Sequence, residues 1–416
     1  MTKNTSRSRR LAAVVGATAL GLALAGCGQG FSSGDETSSG DAGGGLNVLV
    51  ATGDQDSLKA LQDLGDAWTE KSGVSVDVQP ASDMNQQLSQ GFAAGNPPDV
   101  FWVDASLLPT YASAGNLWAY GDQMSDIDFY PALIDSFTYD GQLYCAPKDF
   151  SNLGLVINTD MWAAAGLTDA DIPTTWEQLE SVAQKLTTDS VKGLVIGDTR
   201  DRVGAFMKQA GGWITNADQT EMTIDSPEAI AGIAEVQKLL ESGAAAFPKQ
   251  VDSGWGGEAI GTGKAAMTIE GNWFKSAAGA DYPDLKWRVA ELPAGPAGKG
   301  TLTFTQCWAI ADASKNKDAA LEFVKSMYTP EIQVDLANRF GVMPSIESAR
   351  EQYIATVPEA EQAWLAGADY AQGPVSAVGM DPVMKDLDTL IQQLPGISPE
   401  EIAQQTQANG EAVLGG

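Results

Sequence analysis

The chain has 416 residues, 44% of them hydrophobic, with 54 acidic and 25 basic side chains, a formal net charge of −29 and no histidine. This acidity argues against nucleic-acid binding, which needs a basic surface, and against adsorption to anionic lipid. The lack of histidine removes Ser-His-Asp triads and histidine-containing zinc sites, whereas chemistry based on carboxylates, lysine or tyrosine stays open.

The first 26 residues have the organisation of a secretory signal. They begin with a basic head made by Arg7, Arg9 and Arg10. The apolar stretch that follows, 11–24, is too short to span a bilayer permanently. Small residues stand directly before Cys27, which resembles the bacterial lipoprotein cleavage box and implies that Cys27 becomes the lipidated first residue. An ordinary signal with a chance cysteine is the alternative, and the general secretory and twin-arginine export routes are both open.

Residues 27–45 form a segment rich in glycine and serine. Because this composition buries little apolar surface, we expect a flexible tether. Residues 46–416 are more than one hydrophobic core usually organises, so two lobes are expected. Four of the 25 basic residues precede Cys27, so the exported chain has 21 basic and 54 acidic residues and a formal charge of −33. We therefore expect an acidic body that a lipid anchor holds at the outer side of the cell membrane.

Strand-like and helical patterns alternate at the start of this body. The predicted elements are a strand at 46–51, a helix at 54–71, a strand at 74–78, a helix at 84–94 and a strand at 100–103. This alternation predicts a parallel sheet covered by helices, with ligands at the carboxyl ends of the strands. The rule selects Asp54 and Gln55 after the first strand and Asp104 after the third. As an alternative, Asp54 and Asp104 could cap the helices that follow them.

Two apolar runs, 143–146 and 153–157, follow further along the chain and are separated by a polar segment. We predict a strand for each run, because β-branched Val156 and Ile157 suit a pleated surface. Pro147 opens the polar segment, and proline cannot continue a central ladder. The sequence therefore predicts a joint between two strands at this point.

The order of motifs around this joint resembles that of the extracellular solute-binding proteins that deliver sugars to ATP-binding-cassette importers. The motifs are Gly-x-Leu-Tyr at 141–144, Pro147, Asp149, Asn158, Ala-Gly-Leu at 165–167 and Thr-Trp-Glu-Gln-Leu at 175–179. In that family, this segment is where the chain first crosses from one lobe to the other. The resemblance implies that Asp149, Ser151 and Asn152 lie at the hinge and on the cleft.

A second match to the same family is Gly-Lys-Ala-Ala-Met at 263–267, followed by Gly271-Asn272-Trp273. A phosphate-binding loop is the tempting alternative here. It fails because Glu258 stands where the first glycine of that motif belongs, and Ala265 replaces the metal-binding hydroxyl. A third match is Gly-x-x-Pro-Ser at 341–345.

The resemblance covers nearly all of residues 46–416 and implies a periplasmic-binding-protein-like α/β fold, with two lobes that each contain a β-sheet flanked by helices. The chain would cross between the lobes near residue 150, at 292–302 and at 328–331. The implied lobes are 46–149 with 302–328, and 150–301 with 329–416. In this arrangement, Cys145 and Cys307 both return to the first lobe beside the hinge. A disulfide between them and two buried free thiols are both open.

Eleven tryptophans in a chain without a catalytic signature favour a sugar ligand. An aromatic face can stack on the C–H face of a sugar while carboxylates and amides hold its hydroxyls. Trp213 and Trp273 stand where the family often places such aromatic residues. Glu270 and Gln306 are further polar candidates, although structural roles for them are equally open.

The expected function is therefore that of a monomeric, lipid-anchored receptor without a metal or cofactor. It would close around a mono- or oligosaccharide and deliver it to the transmembrane subunits of a permease, without catalysis. The first strand is followed by Thr-Gly-Asp-Gln at 52–55, where maltose-type members have an Asp-Lys pair, so the sugar stays open. The alternatives are a secreted carbohydrate-active enzyme with paired carboxylates, or a receptor for a polyamine, peptide or metal chelate.

Overall fold

The structure is a computed structural model that describes residues 44–51 and 55–415. Two predicted site residues, Cys27 and Asp54, lie outside these ranges. Residues Gly43–Gly416 form one compact unit. Among the described residues, no helix is both long and apolar enough to cross a membrane.

Strands and helices alternate along much of this unit. The strands are β1 (Leu46–Val50), β2 (Val76–Pro80), β3 (Val100–Asp104), β4 (Thr138–Tyr139), β5 (Gln142–Leu143), β6 (Ala146–Asn158), β7 (Lys192–Val195), β8 (Ala245–Ala246), β9 (Ala265–Gly271), β10 (Trp287–Ala290), β11 (Thr301–Ile310), β12 (Met343–Pro344) and β13 (Ala371–Gln372). The α-helices are α1 (Gln55–Ser72), α2 (Met84–Ala94), α3 (Leu108–Ser113), α4 (Pro131–Ser136), α5 (Thr159–Ala164), α6 (Trp176–Leu186), α7 (Arg200–Ala210), α8 (Pro227–Glu241), α9 (Gly256–Gly261), α10 (Phe274–Asp281), α11 (Lys317–Lys325), α12 (Pro330–Phe340), α13 (Arg350–Thr356), α14 (Ala363–Ala366), α15 (Asp381–Ile391) and α16 (Pro399–Leu414).

The main sheet has the strand order β2-β1-β3-β11-β6-β9-β7-β8. β1 runs parallel to β2 and β3, which confirms the parallel sheet that the strand-helix alternation predicted. β11 lies antiparallel between β3 and β6, and β6 in turn pairs antiparallel with β9. The α/β class predicted from the sequence is therefore confirmed.

The buried apolar side chains form two large cores, which agrees with two lobes. The first core surrounds β1, β3 and β11 and contains Val50, Phe101 and Ile310. The second surrounds β9, α7 and α8 and contains Phe206 and Met267. A smaller cluster on the other side of β9 includes Val156 and Trp364.

The division between the cores lies later in the chain than the predicted lobe boundary at 329. Val334 in α12 and Tyr353 in α13 are still buried in the first core. The ring of Phe340 packs edge-on against Trp102 of β3, with 5.8 Å between ring centroids. Because α12 covers the first half of the sheet in this way, the buried residues of the first core extend to Val357, and Leu365 and Ala368 still pack against it.

The predicted joint at Pro147 is wrong, because β6 is one buried strand of 13 residues. Pro147 lies opposite Cys307, where the register with β11 shifts. A proline is tolerated at such an irregularity since no regular ladder bond requires its missing N–H. The first half of β6 packs in the first core and the second half in the second core, so the chain crosses between the cores within one strand.

Cys145 and Cys307 form a disulfide with 5.6 Å between their Cα atoms. Both side chains are fully buried. The bond connects the segment immediately before β6 to the middle of β11, beside the crossing between the cores.

Candidate functional site

A cavity of about 220 Å³ lies between elements of the two cores. The first core contributes Asp104 and Ser106 at the end of β3, and β11 contributes Thr303 and Phe304. The second core contributes Trp213 and the segment 372–375, among others. We call this cavity the interlobe cleft. It lies at the carboxyl end of β3, where the sequence predicted a ligand site.

Asp104 is the last residue of β3 and faces the interlobe cleft. Its Oδ1 accepts a hydrogen bond of 2.9 Å from Nε2 of Gln306. It does not cap the next helix, since α3 starts at Leu108 and lacks a side-chain cap. Desolvation raises the pKa of Asp104, although the Gln306 hydrogen bond and the charge of Lys148 oppose this shift. Asp104 thus lines the cleft while paired with the amide of Gln306, which does not itself line the cavity.

The pairing of β6 with β11 decides where the hinge residues point. The register pairs Gln306 with Asp149, Phe304 with Ser151 and Thr303 with Asn152. Opposite residues of paired strands point to the same face, and successive residues point to opposite faces. Asp149 and Ser151 therefore share the face of Gln306. Asn152 lies on the other face.

The side chain of Asn152 is fully buried. Its Nδ2 donates a hydrogen bond of 3.1 Å to the carbonyl oxygen of Trp364. It lines a second cavity of about 560 Å³, together with Tyr130 and Phe150. Asn152 thus lines this second cavity and not the interlobe cleft.

Asp149 and Ser151 do not line the interlobe cleft. Both are buried, and Nζ of Lys148 donates a hydrogen bond to Oδ2 of Asp149. The Lys148 ammonium lies 4.2 Å from the centroid of the Trp102 ring. The carboxylate of Asp149 is therefore already paired inside the first core.

Trp213 is half-buried and lines the interlobe cleft. It follows Gly211, which ends α7 with a φ of 94°, and Gly212, where a Cβ would lie 2.2 Å from the backbone N of Ala229. Only glycine fits both positions, because of the left-handed conformation at the first and the close approach at the second. Thr223 donates a hydrogen bond of 3.0 Å to the Trp213 carbonyl. The Gly-Gly turn thus holds the indole at the cleft, and contact between Trp213 and a ligand stays a prediction.

Trp273 lies one layer behind the cleft wall. Its ring packs edge-on against Phe304, with 5.2 Å between centroids, and the Arg202 guanidinium lies 5.3 Å from its ring centroid. Its Nε1 donates a hydrogen bond of 3.1 Å to Glu270. Trp273 therefore supports Phe304, which is the aromatic residue that reaches the cleft from this side.

Glu270 is an internal support, with only 1% of its surface exposed. Arg202 Nη2 donates to its Oε2 at 2.6 Å. Burial raises the pKa of Glu270, whereas the charge and hydrogen bond of Arg202 act in the opposite direction. The buried, paired carboxylate of Glu270 therefore orients Trp273 and does not line the interlobe cleft.

Several cleft residues were not predicted. Phe304 could have been found from period-two alternation, since it stands two residues before Gln306 on one strand. Arg200 and Asp201 line the cleft at the start of α7, and Arg200 is held by an ion pair with Asp388 of α15. That pair joins residues far apart in sequence and leaves no local signal. Gln55 is an exposed first residue of α1 and does not line the cleft.

Metal binding finds no support in the part of the chain that the structure describes. It contains no group of three or more His, Cys, Asp or Glu side chains that could hold a metal ion. The polar groups at the cleft are instead suited to hydrogen bonds with an uncharged, hydroxyl-rich molecule, and Trp213 and Phe304 provide apolar surface beside them.

Residues 52–334 match the family model described as bacterial extracellular solute-binding protein. The diacetylchitobiose binding protein DasA of Streptomyces coelicolor is 27% identical over 366 residues, which cover 82% of this chain and 83% of that protein. A maltooligosaccharide ABC transporter solute-binding lipoprotein of Streptococcus pneumoniae is 25% identical over 369 residues, covering 83% of this chain and 82% of that protein. The fold is similar to that of an ABC substrate-binding protein of Listeria monocytogenes solved with cycloalternan, with a TM-score of 0.80, 23% identity, and coverage of 90% of this chain and 100% of that one.

Proposed function

We propose that this chain, which belongs to the family of bacterial extracellular solute-binding proteins, captures a saccharide and delivers it to an ATP-binding-cassette importer. The observation that carries the proposal is the interlobe cleft, to which the first core brings Asp104, the second brings Trp213 and the connecting strand β11 brings Phe304. A ligand that touches all three bridges both lobes. It would stabilise the closed state by its greater affinity for that state.

The chemistry of the cleft favours a sugar over the alternatives. An aromatic ring beside a carboxylate, an amide and threonine hydroxyls suits a molecule with an apolar C–H face and many hydroxyls. The relatives named above are binding proteins for oligosaccharides, which points to binding without catalysis. A bare metal ion would find no ligand cluster among the described residues.

The same proposal includes export and anchoring. The cysteine of the lipoprotein-like motif, Cys27, would carry the lipid, and the acidic body would meet the transmembrane subunits of a permease as a monomer. The pneumococcal relative, itself named a solute-binding lipoprotein, supports this arrangement. We place the three lobe crossings within β6, within β11 and after Val357, as the two cores suggest.

A thermal-shift screen of the compact unit 43–416 tests the proposed ligand class. The panel contains diacetylchitobiose, maltotriose and cycloalternan, together with putrescine, a tripeptide and divalent metals. A saccharide present at 100 times its Kd should stabilise the fold by about 2.7 kcal/mol. Product analysis by chromatography runs in parallel. A response to putrescine, peptide or metal alone would overturn the sugar assignment, and any cleaved glycoside would overturn the binding role.

We expect Trp213→Ala to raise the Kd of the saccharide that gives the shift by about 10- to 100-fold, because stacking and apolar contact are both lost. Isothermal titration measures the change. Trp118→Ala is the matched control, since Trp118 is a half-buried residue packed on Tyr120 in the first core and away from the cleft. An unchanged affinity in the Trp213 variant would remove this residue from the site.

We expect Asp104→Asn to weaken binding by about tenfold, because a hydroxyl loses an ionised acceptor. In the unsubstituted protein, affinity should fall as the pH drops through the pKa of Asp104, which desolvation raises above 3.8, since protonation removes the same acceptor. The variant should lack this pH dependence. Titrations at neutral and acidic pH compare the two proteins. Parallel pH profiles would show that another group carries the effect.

A further inference from the structure

After Trp213 the chain forms a short hairpin, which ends outside the cleft. Thr215 and Met222 form the bridge that closes this hairpin. Asn216 Oδ1 accepts hydrogen bonds from the backbone N of Thr220 at 2.9 Å and of Glu221 at 3.2 Å. The hairpin is thus a well-bonded extension of the Trp213 wall of the interlobe cleft.

Gln219 lies in this hairpin and holds a second wall of the same cleft. Its Oε1 accepts hydrogen bonds from the backbone N of Ser376 at 2.6 Å and of Ala377 at 3.1 Å. These two residues directly follow the segment 372–375, which lines the interlobe cleft. One side-chain oxygen therefore connects two cleft walls that lie 157 to 158 residues apart in the chain.

The backbone of Gln219 is in an unusual conformation, with a φ of 53°. A residue with a long side chain is disfavoured there, where glycine is accommodated without strain. Such strain persists where the surroundings compensate for it. The two hydrogen bonds to the backbone of Ser376 and Ala377 are the compensation that this residue type provides and glycine would lack.

We propose that Gln219 is a positioning residue of the saccharide site, which fixes segment 372–377 relative to Trp213 before the ligand arrives. This inference depends on the proposed function of the cleft. A wall that is already ordered needs no ordering when the sugar binds, so a preorganised segment gives higher affinity. Gln219 itself does not line the cleft, so its effect on affinity is indirect.

Three substitutions separate positioning from general stability. Gln219→Ala keeps the strained backbone and removes the acceptor. Gln219→Gly removes the acceptor and relieves the strain. Gln219→Glu keeps an oxygen that can accept both backbone hydrogen bonds, and it loses only the long 3.5 Å hydrogen bond that Nε2 donates to the carbonyl oxygen of Pro374. Gln405→Ala, on the exposed face of α16, is the matched control for loss of a glutamine side chain.

The first measurement needs no ligand. Hydrogen exchange at the backbone amides of Ser376 and Ala377 should be faster in the alanine and glycine variants than in the unsubstituted protein, and near the unsubstituted rate in the glutamate variant. Unchanged exchange in Gln219→Ala would overturn the proposal, whatever the cleft binds.

The second measurement is the Kd for diacetylchitobiose and maltotriose. We expect about a three- to tenfold increase for both the alanine and the glycine variants, with the glutamate variant close to the unsubstituted protein. The glycine variant should keep its thermal midpoint while losing affinity, which a merely structural role would not produce. Faster exchange with unchanged affinity would overturn the positioning role. If the unsubstituted protein binds neither sugar, the proposed function fails for these sugars, and the exchange rates still decide whether Gln219 holds the segment.

Discussion

Arg202→Leu should lower the free energy of unfolding by about 3–5 kcal/mol, because it leaves the Glu270 carboxylate buried without a counter-charge. Only 1% of the Glu270 side chain and 14% of the Arg202 side chain are exposed, and their 2.6 Å ion pair lies directly behind Trp273. Urea denaturation at neutral pH measures the loss. The same variant should also bind saccharide more weakly, because Trp273 supports Phe304 at the cleft wall.

The stability loss of the Arg202 variant should depend on pH in a definite direction. Burial raises the folded-state pKa of Glu270 above its value of 4.5 in the unfolded chain, and removing Arg202 raises the folded-state pKa further. A carboxylate with a raised folded-state pKa destabilises the fold fully above that pKa, and this penalty disappears as the pH falls below 4.5. The deficit of the Arg202 variant should therefore shrink on acidification.

Two further variants serve as controls for the buried pair. The double substitution Arg202→Leu with Glu270→Gln removes both charges and should recover part of the lost stability. Arg339→Leu removes an exposed ion pair with Asp335 and should change stability by at most about 1 kcal/mol. If Arg202→Leu lowered the free energy of unfolding as little as Arg339→Leu, the Arg202–Glu270 ion pair would not be an important support of the site.

The double substitution Cys145→Ala with Cys307→Ala should lower the free energy of unfolding by about 2–5 kcal/mol. The disulfide links residues 162 positions apart, so its loss enlarges the conformational freedom of the unfolded chain. Denaturation without reductant measures the effect. Because the bond lies beside the crossing of β6 and β11, the loss should also appear as faster amide exchange around Gln306.

Reduction of the unsubstituted protein is the control for this prediction. It removes the cross-link while keeping both buried sulfur atoms, and so separates the effect of the bond from that of side-chain volume. The double variant should be insensitive to reductant. Equal midpoints for the unsubstituted protein with and without reductant would contradict a stabilising role for the bond.

Local patterns in the sequence were enough to predict the fold class and to place one residue, Asp104, at the cleft. The alternation from β1 to β3 is set by hydrophobic periodicity over a few residues, and it predicted the parallel sheet. Helix α2 has the predicted bounds, and its Asp83 cap is a local signal as well. Asp104 could be placed because residues that end parallel strands meet at one edge of a sheet.

The pairing of strands that are distant in the chain decided which way the hinge residues point and whether β6 is continuous, and local patterns could not predict either. The register of β6 with β11 separates Asp149 and Ser151 from Asn152, and the irregularity opposite Cys307 allows Pro147 to remain in a continuous strand. Neither fact is visible before the partner strand is known.

The sequence by itself therefore determined the two-lobed α/β class, and it predicted a ligand site at one edge of the sheet with aromatic and acidic residues beside it. Only the tertiary structure decided which of those side chains are free to meet a ligand. Glu270 is paired with Arg202, 68 residues earlier, and Asp149 is paired with Lys148 beneath Trp102. The physical reason is that secondary structure follows from interactions between near neighbours, whereas burial and charge pairing arise from contacts between residues far apart in the chain.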